Sequence, residues 1–460
     1  MALQSAAFLF FLFPLAFALD RLLPGVRQKN YALLLVSLVF YTFGQWQGLL
    51  LLLLAAVIAY VSGMLLAKRP GRKVVLAAAL ALNLGLLGCF KYLDFFADIL
   101  GLPGPGLTAP LGVSFFTFKA MSYVIDVYRG GSAAERFSDA LLYLSFFPQA
   151  VSGPITRFDG FASQLTDRTA SPERAARGLR RFTVGLAKKV LIAALAAPVA
   201  DAAFSLGEGL DVRTAWLGAA AYAIQLYFDF SGYSDMAIGL GQVFGFGTPE
   251  NFQYPYTALS LADFWRRWHI SLSQWFRDYL YIPLGGNRKG VGRKVLNTAV
   301  VFLLCGLWHG AGWTFLLWGA WHALFSALES LKLLDCKRWS RTAPGKVLCH
   351  IYTLLVVYLG FVIFRAADPG QAADMFRGLF TGFRLTDAST LALYRVSPAS
   401  WCALAAGAVG CLPLAEKLSA WAADRRAAEA CGYIGTLALY LLCLMAAAGG
   451  GFQPFIYGQF

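Results

Sequence analysis

Runs of about 20 apolar residues, the length at which an α-helix crosses the hydrocarbon of a bilayer, recur along this chain with short loops between them. The stretches 48–67, 74–100 and 431–448 are examples, and no hydrophilic stretch is long enough to build a core of its own. Charged residues make up 14% of the chain and hydrophobic ones 58%, with a mean hydropathy of +0.59, whereas about a quarter of a soluble domain is charged. The pattern predicts an all-α polytopic membrane protein, one membrane domain over residues 1–460. About 10–12 transmembrane or re-entrant helices are expected, with further helices lying at the interface.

The formal net charge of +14 does not point to nucleic acid. The basic residues fall in short patches between apolar runs: 68–73, 174–189, 266–294 and 337–346. That is the distribution by which cytoplasmic loops keep positive charge inside. The eight cysteines form no CxxC pair and sit mostly within apolar runs, as small buried hydrophobes rather than metal ligands or a disulfide framework. The first twenty residues lack a basic segment ahead of their apolar run, so they read as a first membrane helix with its N-terminus outside.

Charge parity then orders the spans. Residues 31–44, 48–67, 74–100 and 110–128 cross in turn, and 138–155, broken by Pro148, Gly153 and Pro154, reads as a re-entrant or kinked buried segment. Residues 157–189 read as a basic cytoplasmic stretch, followed by spans at 190–206 and 214–246. In 251–294 arginines and tryptophans interleave, which suits helices at the cytoplasmic membrane surface. Residues 296–330 form an out-and-back pair, 366–395 an external loop, and 449–460 an extracellular tail.

The chain has four histidines, at 269, 309, 322 and 350. His309 sits in "LCGLWHGAGW", well inside an apolar run, where a buried imidazole needs a reason to be there. One reading is a histidine bonded to a nearby carbonyl; the other is a functional cavity, which Gly306, Gly310 and Gly312 favour by opening room or close backbone approach. Trp308 and Trp313 would line such a cavity. On a continuous helix His322 lies about 220° around from His309, so a packing or supporting role is expected for it. His269, in "RRWHISLS", would line the cytoplasmic mouth or anchor at the interface, and His350 receives no role. Cys305 precedes His309 by one helical turn and so could carry an acyl group as a thiolate, though inert buried cysteines are much commoner. Asp229 and Asp235 would line an ion path or, more simply, cap broken helices or pair with arginine. The G-x-S-x-G elbow, the P-loop, His-x4-Asp and HExxH are all absent from the sequence.

Three long blocks, 222–246, 251–288 and 304–324, supported by 111–130 and 146–158, resemble the membrane-bound O-acyltransferase family. Within it they are most similar to the bacterial subgroup of alginate O-acetylation and D-alanyl transfer. The resemblance implies helices around a central tunnel in the cytoplasmic membrane, with the acyl group entering as a cytoplasmic thioester, acetyl-CoA or a phosphopantetheine acyl carrier. No bound cofactor or metal is implied. The acyl group would pass to an extracellular SGNH-type partner that modifies a polysaccharide. The family's near-invariant histidine falls on His309, and the second polar position of its reaction chamber on His269. The terminal "FQPFIYGQF" resembles an element whose tyrosine, here Tyr457, relays the acyl group; Gly458 departs from the aromatic usual after it, and an interfacial aromatic anchor is the simpler reading. Arg266, Arg267, Arg288 and Lys289 would meet the donor's phosphates or an acidic carrier, or serve only as the positive-inside signal. A transporter would show paired broken helices or inverted repeats, which the sequence lacks. A scaffold that only anchors its partner is the remaining alternative.

Overall fold

The computed structural model describes residues 1–43, 46–168, 171–414 and 426–448, without the side chains of 426–430. The described residues are helical and contain no strand. In chain order the helices are α1 (Phe13–Leu22), α2 (Val26–Thr42), α3 (Trp46–Lys68), α4 (Lys73–Leu87), α5 (Leu93–Ile99), α6 (Val113–Tyr128) and α7 (Phe137–Ser145). They continue with α8 (Phe158–Thr166), α9 (Pro172–Ala187), α10 (Ala194–Phe204), α11 (Val212–Val243), α12 (Leu261–Arg267), α13 (Ile270–Phe276) and α14 (Gly290–His309). The last are α15 (Trp313–Ser330), α16 (Cys336–Trp339), α17 (Ala343–Arg365), α18 (Pro369–Thr381), α19 (Asp387–Tyr394), α20 (Pro398–Gly410) and α21 (Arg426–Ala448).

Among the described residues, 6 helical stretches are long and apolar enough to cross a membrane: Trp46–Lys68, Lys73–Ile99, Pro172–Phe204, Gly290–His309, Ala343–Arg365 and Cys431–Ala448. The chain is an all-α polytopic membrane protein. Other helices counted from the sequence are shorter, such as α6 with 16 residues, or carry buried polar groups, as α11 does with Gln225, Asp229, Ser231 and Ser234. Two boundaries differ from the sequence reading. Residues 172–204 form one helical stretch with a π-turn at Lys188–Ala193, so Lys188 and Lys189 sit mid-span rather than in a cytoplasmic loop. Residues 366–395 are two helices, α18 and α19, rather than a loop: Asp368 and Thr386 cap their N-termini, and Ala372, Met375 and Leu379 give α18 a buried face.

The chain divides into two compact units, residues 1–185 with 233–250, and 186–232 with 251–460. The first unit has a phenylalanine core. Phe8 packs on Phe40 and Phe147 at 5.9 and 5.8 Å between ring centroids, and Phe161 stacks on Phe246 at 4.9 Å. After α7 ends at Ser145, residues 146–155 run buried without helix, as the prolines and glycine of that stretch predict. Lys119, fully buried on α6, holds this run in place. Its Nζ donates to the Tyr143 carbonyl in the last turn of α7 and to Gln149 Oε1, and it lies 4.4 Å from the centre of the Tyr143 ring. Gln149 in turn accepts from Thr156 and donates to Thr248. Gly112, at φ 77°, is the point where only glycine fits, since a Cβ there would lie 2.4 Å from the Ala150 carbonyl oxygen.

In the second unit the α14–α15 hairpin is the tightest packing. A Cβ at Gly306 would meet the Phe315 carbonyl oxygen at 2.2 Å, and one at Gly319 would meet that of Phe302 at 2.5 Å. The small residues let the two backbones touch, as in closely packed membrane helices. The turn at 310–312 then delivers both helices' ends to one place.

Candidate active site

His309 is the last residue of α14, and α15 begins at Trp313 after an extended turn. The helix break changes the relation between His309 and His322. They do not lie on one continuous helix, so the angular separation read from the sequence does not apply. Trp318 of α15 packs on both imidazoles, 5.2 Å from His309 and 4.9 Å from His322. Phe364 of α17 closes a further side of His309 at 5.1 Å. His322 is fully buried against Trp265 at 5.1 Å and Phe302 at 5.8 Å, and neither ring nitrogen meets a hydrogen-bond partner among the described residues.

His269 lies between α12 and α13 with a left-handed backbone at φ 42°, an uncommon conformation for a residue other than glycine. The strain is held by backbone bonds between residues 251–253 and the ends of α12 and α13. Gln253 N–H donates to the Arg267 carbonyl at 2.9 Å and Ile270 N–H to the Asn251 carbonyl at 3.0 Å. That conformation turns the imidazole inward, where it is 1% exposed, 4.5 Å edge-on to Phe230 and 6.2 Å from Trp308. Trp308 packs at 5.0 Å on His309. The structure therefore brings His269 and His309 against one indole, that of Trp308, and His322 one tryptophan further on. Of the two readings of His269, mouth of a cavity or interfacial anchor, the anchor gives way to full burial within the unit.

The electrostatics follow from that burial. His269 lies outside the spanning helices, and desolvation pushes its imidazole down to about 3, so the ring is neutral across the physiological range. Its Nδ1 lies 3.2 Å from Asn251 Oδ1, and Nε2 meets no partner among the described residues. Asn251 Oδ1 also accepts from the Ser271 N–H at 3.1 Å and the Ser271 hydroxyl at 2.9 Å.

The remaining sequence candidates divide clearly. Trp308 and Cys305 are buried beside the histidines' helix end, as expected. Trp313 is 55% exposed at the start of α15. Asp229 is mid-helix in α11 and forms a buried ion pair with Lys189. Asp235 does pair with arginine, Arg181, at 2.8 Å. Arg266 and Arg267 share Asp263, at 3.2 and 3.1 Å, whereas Arg288 and Lys289 are exposed at the turn before α14. His350 bonds the Ala258 carbonyl through Nδ1 at 3.1 Å. Tyr457 lies outside the described residues. Sequence reasoning missed Asn251, Ser271, Trp265 and Trp318, which shape the cluster. Asn251 begins the arginine–tryptophan block, but nothing local marks an asparagine whose partners stand 18 and 20 residues away.

Residues 135–367, which contain all four histidines, match the model of "MBOAT, membrane-bound O-acyltransferase family". "Probable alginate O-acetylase AlgI" of Pseudomonas putida is 42% identical over 399 residues, covering 83% of this chain and 80% of that protein. "Peptidoglycan O-acetyltransferase" of Helicobacter pylori is 36% identical over 384 residues, covering 75% of this chain and 73% of that protein. "Teichoic acid D-alanyltransferase" of Bacillus subtilis is 29% identical over 287 residues, 57% of this chain and 70% of that protein. With a family match over half its length and a relative of such identity and coverage, the chain belongs to the membrane-bound O-acyltransferase family and is a membrane-embedded acyltransferase.

Proposed function

We propose that this enzyme takes an acyl group, acetyl, from a cytoplasmic thioester and delivers it for O-acetylation of an extracellular polysaccharide, alginate or a related wall polymer. The observation that carries the reading is the pair of buried histidines, His269 and His309, both packed on Trp308 among aromatic rings. A thioester and a hydroxyl need little else from a protein: a site that keeps water out and a neutral imidazole to take the proton. The names of three relatives, an alginate O-acetylase, a peptidoglycan O-acetyltransferase and a teichoic acid D-alanyltransferase, share acyl transfer to polymers outside the membrane.

In the proposed reaction the acceptor hydroxyl oxygen attacks the thioester carbonyl carbon while its proton passes to His309. The new C–O bond forms, the C–S bond breaks, and the thiolate leaves with the proton returned by the imidazolium. An imidazole suits both halves because its unperturbed pKa, about 6.5, lies near operating pH. Arg288 and Lys289, exposed cations next to α14, would draw in the anionic donor, acetyl-CoA or an acylated carrier protein. The chain would sit in the bacterial cytoplasmic membrane with both termini outside, and pass the acyl group to an SGNH-type extracellular partner, with Tyr457 as a carrier. D-alanyl transfer from a carrier protein is the second reading, favoured by the teichoic acid relative.

Reconstituted protein supplied separately with acetyl-CoA, an acetylated carrier and a D-alanylated carrier tests this, with loss of thioester as the readout. Turnover of an acetyl thioester by the wild type, falling about 10²–10⁴-fold in His309→Ala, is the expected result. Consumption of the D-alanyl carrier alone would select the second reading. Equal turnover by wild type and variant would remove His309 as the base.

A further inference from the structure

We propose that Asn251 is a positioning residue that locks His269 in the Nδ1–H tautomer, so that Nε2 is presented as a lone pair to the acceptor hydroxyl. The inference rests on the reading of His269 as part of the reaction chamber.

The chain of assignment begins at a backbone amide. The Ser271 N–H can only donate, and it points at Asn251 Oδ1 from 3.1 Å. That fixes which end of the carboxamide faces Ser271, because a flipped side chain would set two donors against each other. The oxygen so identified can only accept. The imidazole nitrogen 3.2 Å from it, Nδ1, must therefore carry the hydrogen. In a neutral ring the other nitrogen is then bare. Burial keeps the ring neutral, and its ring contacts, Phe230 and Trp308, add no charge.

The consequence is a division of labour. Nε2 is buried, meets no partner among the described residues, and cannot donate. His269 thus does not stabilise an oxyanion. It accepts from the O–H of the hydroxyl as the acceptor enters and holds that oxygen in the chamber, until its one hydrogen turns to His309 for the transfer. The Asn251 carboxamide keeps the ring from rotating or exchanging tautomers between turnovers, since either change would leave Oδ1 and Nδ1 poorly paired in a buried site. The left-handed backbone at His269 and the Ile270-to-Asn251 backbone bond make the arrangement a built one: Asn251 holds the neighbouring chain with its carbonyl and the ring with its side chain.

The full-length protein, labelled with ¹³C,¹⁵N-histidine in lipid nanodiscs, gives a direct test. His269 signals are identified by their loss in His269→Gln. The expected wild-type spectrum shows His269 protonated on Nδ1 alone. In Asn251→Ala that single tautomer should be lost and kcat should fall at least about tenfold with the donor KM unchanged. Asn251→Asp, which keeps an acceptor, should retain the tautomer. A wild-type His269 protonated on Nε2, or an Asn251→Ala protein with tautomer and kcat unaltered, would overturn the proposal. If Asn251→Ala does not fold, the wild-type spectrum decides alone. Full turnover by His269→Gln would instead defeat the chamber reading, while the spectrum still reports whether Asn251 sets the tautomer.

Discussion

Lys119 in one unit and His269 in the other are both about 1% exposed, and each meets the side-chain oxygen of an amide, Gln149 or Asn251. They differ in what is left over. Lys119 Nζ spends itself on the Tyr143 carbonyl, Gln149 and the face of an aromatic ring, all supplied by the protein. His269 spends one nitrogen on Asn251 and leaves the other facing a wall of rings. A buried polar group whose bonds are complete is a pin that holds chain geometry. One left incomplete costs free energy, and at His269, packed on the same indole as His309, the proposed reaction would supply the missing partner.

Lys119→Met separates the two roles with the largest change in stability. It takes a buried donor from the Tyr143 carbonyl and from Gln149 Oε1, which keeps only Thr156, and unmade buried hydrogen bonds cost roughly 1–3 kcal/mol each. A loss of about 3 kcal/mol is expected, with turnover per folded molecule within about twofold of wild type because Lys119 touches no reacting atom. Stability is read by unfolding in detergent, activity by thioester loss. A specific activity that collapsed while the fold held would move Lys119 out of the structural class.

Acid sharpens the comparison at His269. Its folded pKa of about 3 lies below the ordinary 6.5 of an unfolded histidine. The unfolded chain therefore binds the proton first, so stability is full above about pH 6.5 and drains as pH falls toward 3. Between pH 6.5 and 5 this group should cost about 2 kcal/mol. His269→Gln should lack that part of the acid sensitivity, and parallel pH curves for the two proteins would contradict the burial argument.

His322→Phe should have the smallest effect. The ring is already packed as an aromatic among Trp265, Phe302 and Trp318. A near-isosteric replacement is expected to change stability by less than about 1.5 kcal/mol and kcat by less than about tenfold. A larger fall in kcat at unchanged stability would place His322 in the chemistry beside His309.

How much of this was legible in the sequence depended on whether a feature is local. The apolar runs, the break at Pro148 to Pro154 and the close approach allowed by Gly306 are properties of adjacent residues, and they predicted helices, an irregular buried segment and a tight hairpin. His309 stood out because an imidazole within an apolar run is conspicuous. Charge counting failed at Lys189, since positive charge was read as a loop while its carboxylate partner, Asp229, lies 40 residues away and hides it within a span. The turn at 310–312 defeated the angular argument for His322. Asn251 and Ser271 were invisible because their meaning lies in a carboxamide orientation, and that exists only once residues 251–253 and 267–271 pair.

The most direct test measures turnover and folded fraction together for His269→Ala. If the half-satisfied imidazole marks the reaction site, thioester turnover per folded molecule should fall about a hundredfold or more, at a melting temperature within a few degrees of wild type. Turnover that falls only in proportion to the unfolded fraction would contradict the account and reduce His269 to a second Lys119.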